Sequence, residues 1–175
     1  MSSSLSTILV TQAATACQGV LEFAGNRLPC ILGRSGISAS KREGDGATPA
    51  GAFPLRRLLY RSDRIARPST FLPAETLRED DGWCDDPADP LYNRPVRLPY
   101  KASAESMWRA DRLYDIVVVL GHNDDPVVSG LGSAIFMHVS DPGGRATAGC
   151  VALEPEDLKR LLAHCGPGTE LIIRP

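Results

Sequence analysis

A histidine and a cysteine twelve positions apart are the residues of this sequence best suited to covalent chemistry. His138 follows an apolar run that begins at Ile135, and Cys150 follows a loop rich in glycine. A thiol reacts as its thiolate, and a neighbouring imidazole is a common means of lowering the thiol pKa and of accepting its proton. The pair therefore predicts a cysteine nucleophile with a histidine base.

The residues immediately before the cysteine favour acyl transfer. Ala148 and Gly149 are small, so the backbone N–H groups of Gly149 and Cys150 have room to approach a tetrahedral oxyanion. We therefore expect Cys150, His138 and Gly149 to be the catalytic residues. No Asp or Asn stands out as the group that orients the imidazole, so we expect a backbone carbonyl or Ser140 in that place.

Short strands are predicted to carry these residues. Runs of β-type residues recur along the chain, and glycine and proline separate them often enough to favour a β-rich fold. The predicted strands are Ser6–Val10, Val20–Phe23, Arg27–Leu32, Ile116–Leu120, Ala134–Val139 and Glu170–Ile173.

Helical patterns are fewer. A helix is predicted from about Glu154 to Gly166, because Pro155 suits a first helical turn and three leucines form an apolar stripe behind it. Weaker patterns predict a second helix at Ala102–Arg109 and a short helical turn at Pro73–Leu77. The acidic, proline-rich stretch between residues 78 and 99 is expected to be an ordered surface excursion without a regular core of its own.

Length and composition bound the remaining possibilities. At 175 residues, with 43% apolar and 23% charged residues, the chain is expected to form one domain over residues 1–175. A net charge of −2 gives no electrostatic argument for nucleic acid or an anionic membrane. We expect neither partner, and the sequence does not indicate the oligomeric state.

The N-terminal residues and the cysteine count bear on location. The first ten residues lack the basic start and the long apolar stretch of a secretory signal, and no other segment is apolar enough for a membrane span. A cytoplasmic protein with reduced thiols is therefore expected, or a periplasmic one if a leader has been removed. Four of the five cysteines have no assigned role: Cys17, Cys30, Cys84 and Cys165.

The Cys and His residues do not have metal-ligand spacing. The chain contains no Cys-x-x-Cys and no His-x-x-x-His pair, so we expect no metal site. The glycines at Asp141–Gly144 lack the Lys-Ser/Thr that would complete a phosphate-binding loop. No cofactor is expected.

Several ordered motifs resemble the L,D-transpeptidase (YkuD-type) catalytic domain. Thr147-Ala148-Gly149-Cys150 is similar to the family's Ser/Thr-x-Gly-Cys, preceded by His138. The segment Lys41-Arg-Glu-Gly-Asp-Gly-Ala-Thr-Pro-Ala-Gly-Ala-Phe-Pro54 resembles its Glu-Gly-Asp-x-x-Thr-Pro-x-Gly-x-Phe loop. Gly130–His138 and Gly168–Ile173 are similar to its histidine strand and its closing strand. The resemblance implies a mainly β fold, a twisted sandwich or open barrel of mixed sheets with one or two helices.

The sequence departs from the family pattern near the nucleophile. Many members have His immediately before the Gly-Cys pair and Asn or Arg two residues after the Cys, where this chain has Ala148 and Ala152. The spacing from His138 to Cys150 is also shorter than in many members. Substrate recognition near the nucleophile is therefore expected to differ.

The resemblance also implies a substrate. It is a peptidoglycan stem tetrapeptide, cut between meso-diaminopimelate and the terminal D-Ala through a thioester acyl-enzyme. Water as the acceptor makes an L,D-carboxypeptidase that trims recycled muropeptides, whereas an amine makes an L,D-transpeptidase. Two rival functions remain: a non-catalytic module that binds cell-wall peptides, and a cysteine peptidase of other specificity.

Residues around the predicted nucleophile and on distant loops are candidates for substrate binding. Arg145 has the geometry to pair with a substrate carboxylate, although a solvated loop charge is an equal alternative. An aromatic and acidic cluster, Trp83-Cys84-Asp85-Asp86 with Tyr92-Asn93, either lines a peptide cleft or fixes a long loop. His122 is either a second base or a turn residue. The full candidate set is Thr147, Ala148, Arg145, Trp83, Asp86, Tyr92, Asn93 and His122.

Overall fold

A computed structural model describes residues 5–175, and β-strands account for most of its regular structure. The early strands are β1 (Thr7–Gln12), β2 (Gln18–Phe23), β3 (Asn26–Ile31), β4 (Ile37–Ser38), β5 (Thr48–Pro49), β6 (Gly51–Tyr60) and β7 (Ala74–Thr76). The later strands are β8 (Asp81–Cys84), β9 (Pro95–Arg97), β10 (Ala104–Ser106), β11 (Ile116–Leu120), β12 (Phe136–Val139), β13 (Val151–Leu153) and β14 (Glu170–Arg174). The helices are a 3₁₀ turn at Arg112–Tyr114 and α1 at Pro155–Leu162.

The main sheet curls into a barrel. Its nine strands run in the order β11-β12-β13-β3-β2-β1-β14-β6-β7, and a further pairing of β11 with β6 closes the ring. Three pairs are parallel (β1 with β14, β12 with β13, β6 with β7) and the other pairs are antiparallel, so the sheet is mixed. The prediction of a mainly β fold with a barrel of mixed sheets is confirmed.

The core lies on both faces of β11 and β12. Ile116 and Val118 face the barrel interior, together with the leucines of α1, while Val117 and Val119 face a second apolar cluster outside the ring. A strand buried on both faces has no polar face to expose, which explains the uninterrupted apolar run of β11.

The second cluster is covered by a segment for which the sequence predicted no core. Strands β8, β9 and β10 form a separate three-stranded sheet, and Trp83 of β8 is buried with Phe136 of β12. The prediction of a coreless surface excursion between residues 78 and 99 is therefore wrong. Its irregular composition concealed short strands that gain their stability by packing against the barrel.

Two weak helix predictions are also wrong. Ala102–Arg109 contains strand β10, and Pro73–Leu77 contains strand β7, which pairs in parallel with the end of β6. Sheet edges were available to both segments, and tertiary pairing overrode a weak helical propensity. The helix predicted to begin near Glu154 is present as α1, with Leu158, Leu161 and Leu162 buried.

The six predicted strands are all present, but the longest strand was not predicted. Strand β6 contains Pro54 and two arginines, a composition that disguises a strand. It pairs with β14 up to Pro54 and with β11 from Leu55 onwards, so the proline lies where the strand changes partner. Among the described residues, no helix is long and apolar enough to cross a membrane.

Candidate active site

Two neighbouring parallel strands bring the predicted nucleophile and base together. Strand β12 carries His138, and Cys150 lies immediately before β13, with His138 in register with Ala152. Both side chains line one cavity of about 490 Å³. Parallel pairing thus places in one cavity two residues that lie twelve positions apart in sequence.

The His138 ring is almost completely enclosed, with 6% of the residue exposed. Its Nδ1 lies 2.8 Å from the carbonyl oxygen of Val139, and since a carbonyl only accepts, Nδ1 carries the proton. Nε2 is then the basic nitrogen. Burial lowers the pKa of His138 to about 4, so the ring is neutral near pH 7. Ser140, the alternative partner, instead donates to Glu154 at 3.4 Å.

The Cys150 thiol is equally enclosed, with 7% of the residue exposed. Its Sγ donates to the carbonyl of Ala134 at 3.3 Å and accepts the N–H of Phe136 at 3.4 Å. Burial, together with the negative charge of Glu105, raises the pKa of the thiol to about 12. Within residues 5–175, no hydrogen bond joins Sγ to the His138 ring.

The sequence predicted an imidazole that lowers the pKa of the Cys150 thiol, whereas in the structure that pKa is raised. Cys150 and His138 are both desolvated, and desolvation favours the uncharged form of each group. The resting pair is a neutral thiol and a neutral imidazole. Burial thus disfavours a thiolate at Cys150 in the resting site.

The loop before the cysteine is held by Thr147. Its Oγ1 donates to the carbonyl of Cys150 at 2.7 Å and accepts the N–H of Gly149 at 3.1 Å. The Gly149 N–H is therefore occupied, which corrects its expected role as an oxyanion donor. Among the residues that the structure describes, the N–H of Cys150 has no hydrogen-bond partner.

Gly149 instead meets a steric requirement. Its φ of +144° is one that residues with a side chain rarely adopt, and a Cβ there would lie 2.8 Å from the carbonyl oxygen of Ala47. Ala47 belongs to the Lys41–Pro54 loop, so only glycine allows the nucleophile loop to approach that loop so closely.

Tyr114 and the charged residues around it close one side of the cavity. The Tyr114 ring packs edge-on against the His138 ring, with centroids 5.2 Å apart, and its hydroxyl donates to Glu105 at 2.6 Å. Burial raises the pKa of Glu105. Arg109 lies over the Tyr114 ring at 5.0 Å and forms a two-pronged ion pair with Asp111.

The opposite side belongs to the Lys41–Pro54 loop, the segment that resembles the family's Glu-Gly-Asp motif. Lys41 is buried and donates to Asp45 and to the carbonyl of Arg42. Asp45 also accepts the N–H groups of Arg42 and Ala47, so this carboxylate organises the turn. Glu43 accepts from Ser133 at 2.7 Å. Lys41 and Glu43 both line the cavity.

Five predicted site residues line this cavity: Cys150, His138, Thr147, Ala148 and Arg145. The arginine is not a free anion receptor, because its guanidinium pairs with Asp141 at 2.6 Å while 79% of its side chain is exposed. Ala148 and Ala152, which replace larger residues of the family pattern, both lie on the cavity wall.

Five other candidates do not line it, and their expected place in the cleft is corrected. Trp83, Tyr92 and Asn93 are buried behind the wall, where their polar atoms bond to protein groups. Asp86 accepts the N–H of Ala88 in its own loop. His122 contacts the carbonyl of Leu131 at 3.1 Å, and burial lowers its pKa. The buried hydrogen bonds of Trp83, Tyr92 and Asn93 fit the alternative in which this cluster fixes a long loop, whereas Asp85 of the same cluster lines the cavity.

Sequence reasoning missed most of the charged cavity wall. The missed residues lie on β10, on the 3₁₀ turn and on nearby loops: Arg34, Lys41, Glu105, Arg109, Asp111 and Tyr114. Tyr114 is itself buried. Charged residues in loops carry no periodic signal, so only their spatial convergence reveals them. Among residues 5–175, no group of His, Cys, Asp or Glu is arranged to hold a metal ion.

Comparison with known proteins identifies the family. Residues 19–173 match the YkuD family, described as the L,D-transpeptidase catalytic domain. This chain belongs to that family. The L,D-transpeptidase catalytic domain thus accounts for nearly all of the sequence, including the loop at Lys41–Pro54 and both cavity residues, His138 and Cys150. No curated protein matches the sequence.

This chain is also similar to solved structures. The helical cell shape determining protein Pgp2 of Campylobacter jejuni, as its K307A mutant, is 14% identical with a TM-score of 0.50, covering 98% of this chain and 47% of that chain. L,D-transpeptidase 1 of Mycobacterium tuberculosis is 12% identical with a TM-score of 0.41, covering 97% of this chain and 60% of that one. This chain therefore spans about half to three fifths of the length of these relatives.

Proposed function

We propose that this L,D-transpeptidase-family domain is a cysteine acyltransferase that acts on the L,D peptide bond of peptidoglycan stem tetrapeptides. The observation that carries the proposal is the shared cavity of Cys150 and His138, in which the proton on Nδ1 is committed to Val139 and Nε2 remains basic. Covalent acyl transfer requires a nucleophile, a base and a third group that orients the base, which here is the carbonyl of Val139.

The first half of the reaction forms the acyl-enzyme. Sγ leaves the carbonyl of Ala134 and attacks the substrate carbonyl carbon, while the thiol proton passes to Nε2 of His138. The carbonyl oxygen becomes an oxyanion, and the N–H of Cys150, which has no hydrogen-bond partner among residues 5–175, is available to stabilise it. The imidazolium then protonates the departing amine of D-Ala as the peptide bond breaks, which leaves a thioester on Cys150 and a neutral His138.

The second half transfers the acyl group. Nε2 of His138 accepts a proton from the incoming acceptor as it attacks the thioester, and the same proton returns to Sγ when the C–S bond breaks. Water releases a tripeptide and makes the domain an L,D-carboxypeptidase. An amine makes a new peptide bond and an L,D-transpeptidase. The two outcomes share every residue of the site and differ only in the acceptor.

The charge of the cavity wall supports a zwitterionic peptide as the substrate. Glu43 and Glu105 offer carboxylates around the same space as the nucleophile, and Lys41 and Arg109 add cations that each pair with an aspartate. A diaminopimelate residue presents both an ammonium and a carboxylate beyond the reacting carbonyl. A wall of mixed charge suits such a group better than an apolar side chain.

The test is mass spectrometry of products from disaccharide tetrapeptide, with and without a free D-amino acid. Loss of D-Ala without the acceptor identifies hydrolysis, and a product carrying the added D-amino acid identifies transpeptidation. Cys150→Ala abolishes either product. Cys17→Ala is the matched control, because Cys17 does not line the cavity and is only partly buried, and it keeps wild-type turnover.

Three results would contradict the proposal. Turnover that survives in Cys150→Ala would remove the nucleophile from the mechanism. Binding of the tetrapeptide without any turnover by the wild-type chain would favour a cell-wall peptide binding module, and cleavage of an all-L peptide would favour a cysteine peptidase of other specificity.

A further inference from the structure

Asn93 is buried 57 positions from the nucleophile in sequence and yet lies two hydrogen bonds from its sulfur. Only 4% of the residue is exposed. Its Oδ1 accepts the indole N–H of Trp83 at 2.9 Å and the backbone N–H of Ala134 at 3.1 Å. Its Nδ2 donates to the carbonyls of His122 and Asn123 at 3.0 and 2.8 Å. Every hydrogen-bonding capacity of this side-chain amide is therefore used.

The contact to Ala134 matters because that residue holds the nucleophile. The carbonyl of Ala134 accepts the Sγ proton of Cys150 at 3.3 Å, and the N–H of Phe136, two residues on, donates to the same sulfur at 3.4 Å. Both contacts of the sulfur thus come from one short stretch of backbone, and its direction decides where the sulfur lies.

The backbone of that stretch has a conformation that is unfavourable for alanine. Ala134 has a φ of +51°, in the left-handed region where a Cβ carries a steric cost. Such a conformation persists where surrounding contacts impose it. The Asn93 Oδ1 is the hydrogen-bond acceptor that holds the Ala134 N–H, and a return to negative φ would turn the peptide and its carbonyl away from Cys150.

We propose that Asn93 is a positioning residue that, through Ala134, fixes the Cys150 sulfur for attack. The inference rests on the proposed role of Cys150 as nucleophile. It assigns to Asn93, which lies outside the cavity, a function in catalysis without any contact to substrate.

The chain offers a matched pair of variants. Asn93 and Asn123 both have left-handed backbones, with φ of +55° and +47°, so glycine at either position removes the side chain without backbone strain. The Asn123 side chain bonds to Val128 and Gly132 but not to Ala134. Asn93→Gly and Asn123→Gly thus each delete a bridging amide, and only the first releases Ala134.

The readout is the rate at which iodoacetamide labels Cys150 in the folded 175-residue chain, measured well below the melting temperature. Trypsin gives Ala146–Lys159, a peptide in which Cys150 is the only cysteine, and Leu28–Arg34, which contains only Cys30. Cys30 is buried in the main core, so its labelling rate reports general opening of the fold. We expect Asn93→Gly to raise labelling of Cys150 at least fivefold with Cys30 unchanged, and Asn123→Gly to stay within twofold of wild type.

Turnover provides a second readout. In Asn93→Gly the sulfur is no longer held in one orientation, so kcat on the tetrapeptide falls at least tenfold while KM stays within threefold. Unchanged labelling of Cys150, an equal rise in Asn123→Gly, or a parallel rise at Cys30 would each overturn the inference. Labelling needs no turnover, so an inactive wild-type chain would refute the proposed function without deciding the role of Asn93.

A conservative variant keeps the test valid if Asn93→Gly does not fold. Asn93→Asp retains an oxygen that accepts the Ala134 N–H but loses both donated hydrogen bonds. It is expected to lower the melting temperature and to leave the labelling rate of Cys150 within twofold of wild type. A fivefold rise in Asn93→Asp at constant Cys30 labelling would show that the contact to Ala134 does not control the sulfur.

Discussion

The edge of the Tyr114 ring packs against the imidazole of His138, with the two centroids 5.2 Å apart. Among the residues that the structure describes, the imidazole makes one hydrogen bond, from Nδ1 to the carbonyl of Val139, so rotation of the ring is limited mainly by packing. Tyr114 is itself held from both sides, by Glu105 at its hydroxyl and by Arg109 over its ring. The orientation of the proposed base thus depends on an aromatic neighbour.

Replacing Tyr114 separates this packing from the hydroxyl contact. Tyr114→Ala is expected to lower kcat at least tenfold and to destabilise the fold by about 3 to 5 kcal/mol, because it opens a cavity beside His138. Tyr114→Phe keeps the ring, so kcat stays within threefold of wild type. Steady-state kinetics on the tetrapeptide and urea unfolding measure both. Wild-type kcat in Tyr114→Ala would show that the ring does not orient the base.

Gly149 is expected to tolerate no side chain. In Gly149→Ala the new Cβ would meet the carbonyl oxygen of Ala47 at 2.8 Å, so the nucleophile loop must move. We expect a destabilisation of about 2 to 4 kcal/mol, from strain and overpacking together, and loss of turnover.

The control for this variant is Gly144→Ala in the same loop. Gly144 also has positive φ, +69°, but a Cβ there would meet nothing within 4 Å. It is expected to cost only about 1 to 2 kcal/mol and to keep turnover. Equal losses of activity in both variants would show that backbone conformation, and not the approach to Ala47, makes glycine necessary at 149.

The Thr147 hydroxyl is expected to hold the nucleophile loop. Thr147→Val has nearly the same shape but removes the contacts to the Cys150 carbonyl and the Gly149 N–H, at a cost of about 1 to 3 kcal/mol and a clear loss of kcat. Thr147→Ser keeps the hydroxyl and is expected to keep most of the activity. Thermal unfolding and tetrapeptide kinetics test the pair, and a fully active Thr147→Val would exclude the proposed role.

His138 is expected to make stability fall in acid. Its pKa lies at about 4 in the folded chain, below its ordinary value of 6.5, so the unfolded chain binds the proton more tightly. The contribution of His138 to the free energy of unfolding is fully present above pH 6.5 and is lost as the pH falls toward 4. The full change in pKa corresponds to about 3 kcal/mol. Urea unfolding between pH 4 and pH 8 measures this slope, which His138→Gln should flatten. An unchanged slope would place the acid sensitivity in other groups.

Cys150 is expected to act in the opposite direction at high pH. Its pKa is raised from 9.0 to about 12, so the folded chain holds the thiol proton more tightly than the unfolded chain. This contribution is present below pH 9 and is lost as the pH rises toward 12. Unfolding between pH 8 and pH 10.5 should therefore show a steeper loss of stability in wild type than in Cys150→Ala. Identical profiles would contradict the raised pKa.

The sequence by itself determined the family, most strands and the two residues that we propose do the chemistry. His138 and Cys150 stand in short local motifs, and local motifs are readable because their meaning depends on residue type and spacing alone. The same is true of α1, whose proline, acidic first turn and leucine stripe lie within eight residues.

The tertiary structure decided what surrounds that pair. Strand β12 and strand β13 lie side by side, and this pairing, with the second sheet packed outside it, makes both groups neutral and brings Tyr114 and Glu105 to the cavity. Asn93 and Trp83 were candidates either for substrate contact or for fixing a loop, and they lie behind the cavity wall. Burial and long-range hydrogen bonds are properties of the folded chain, because they depend on which distant segments meet, and no local pattern encodes that.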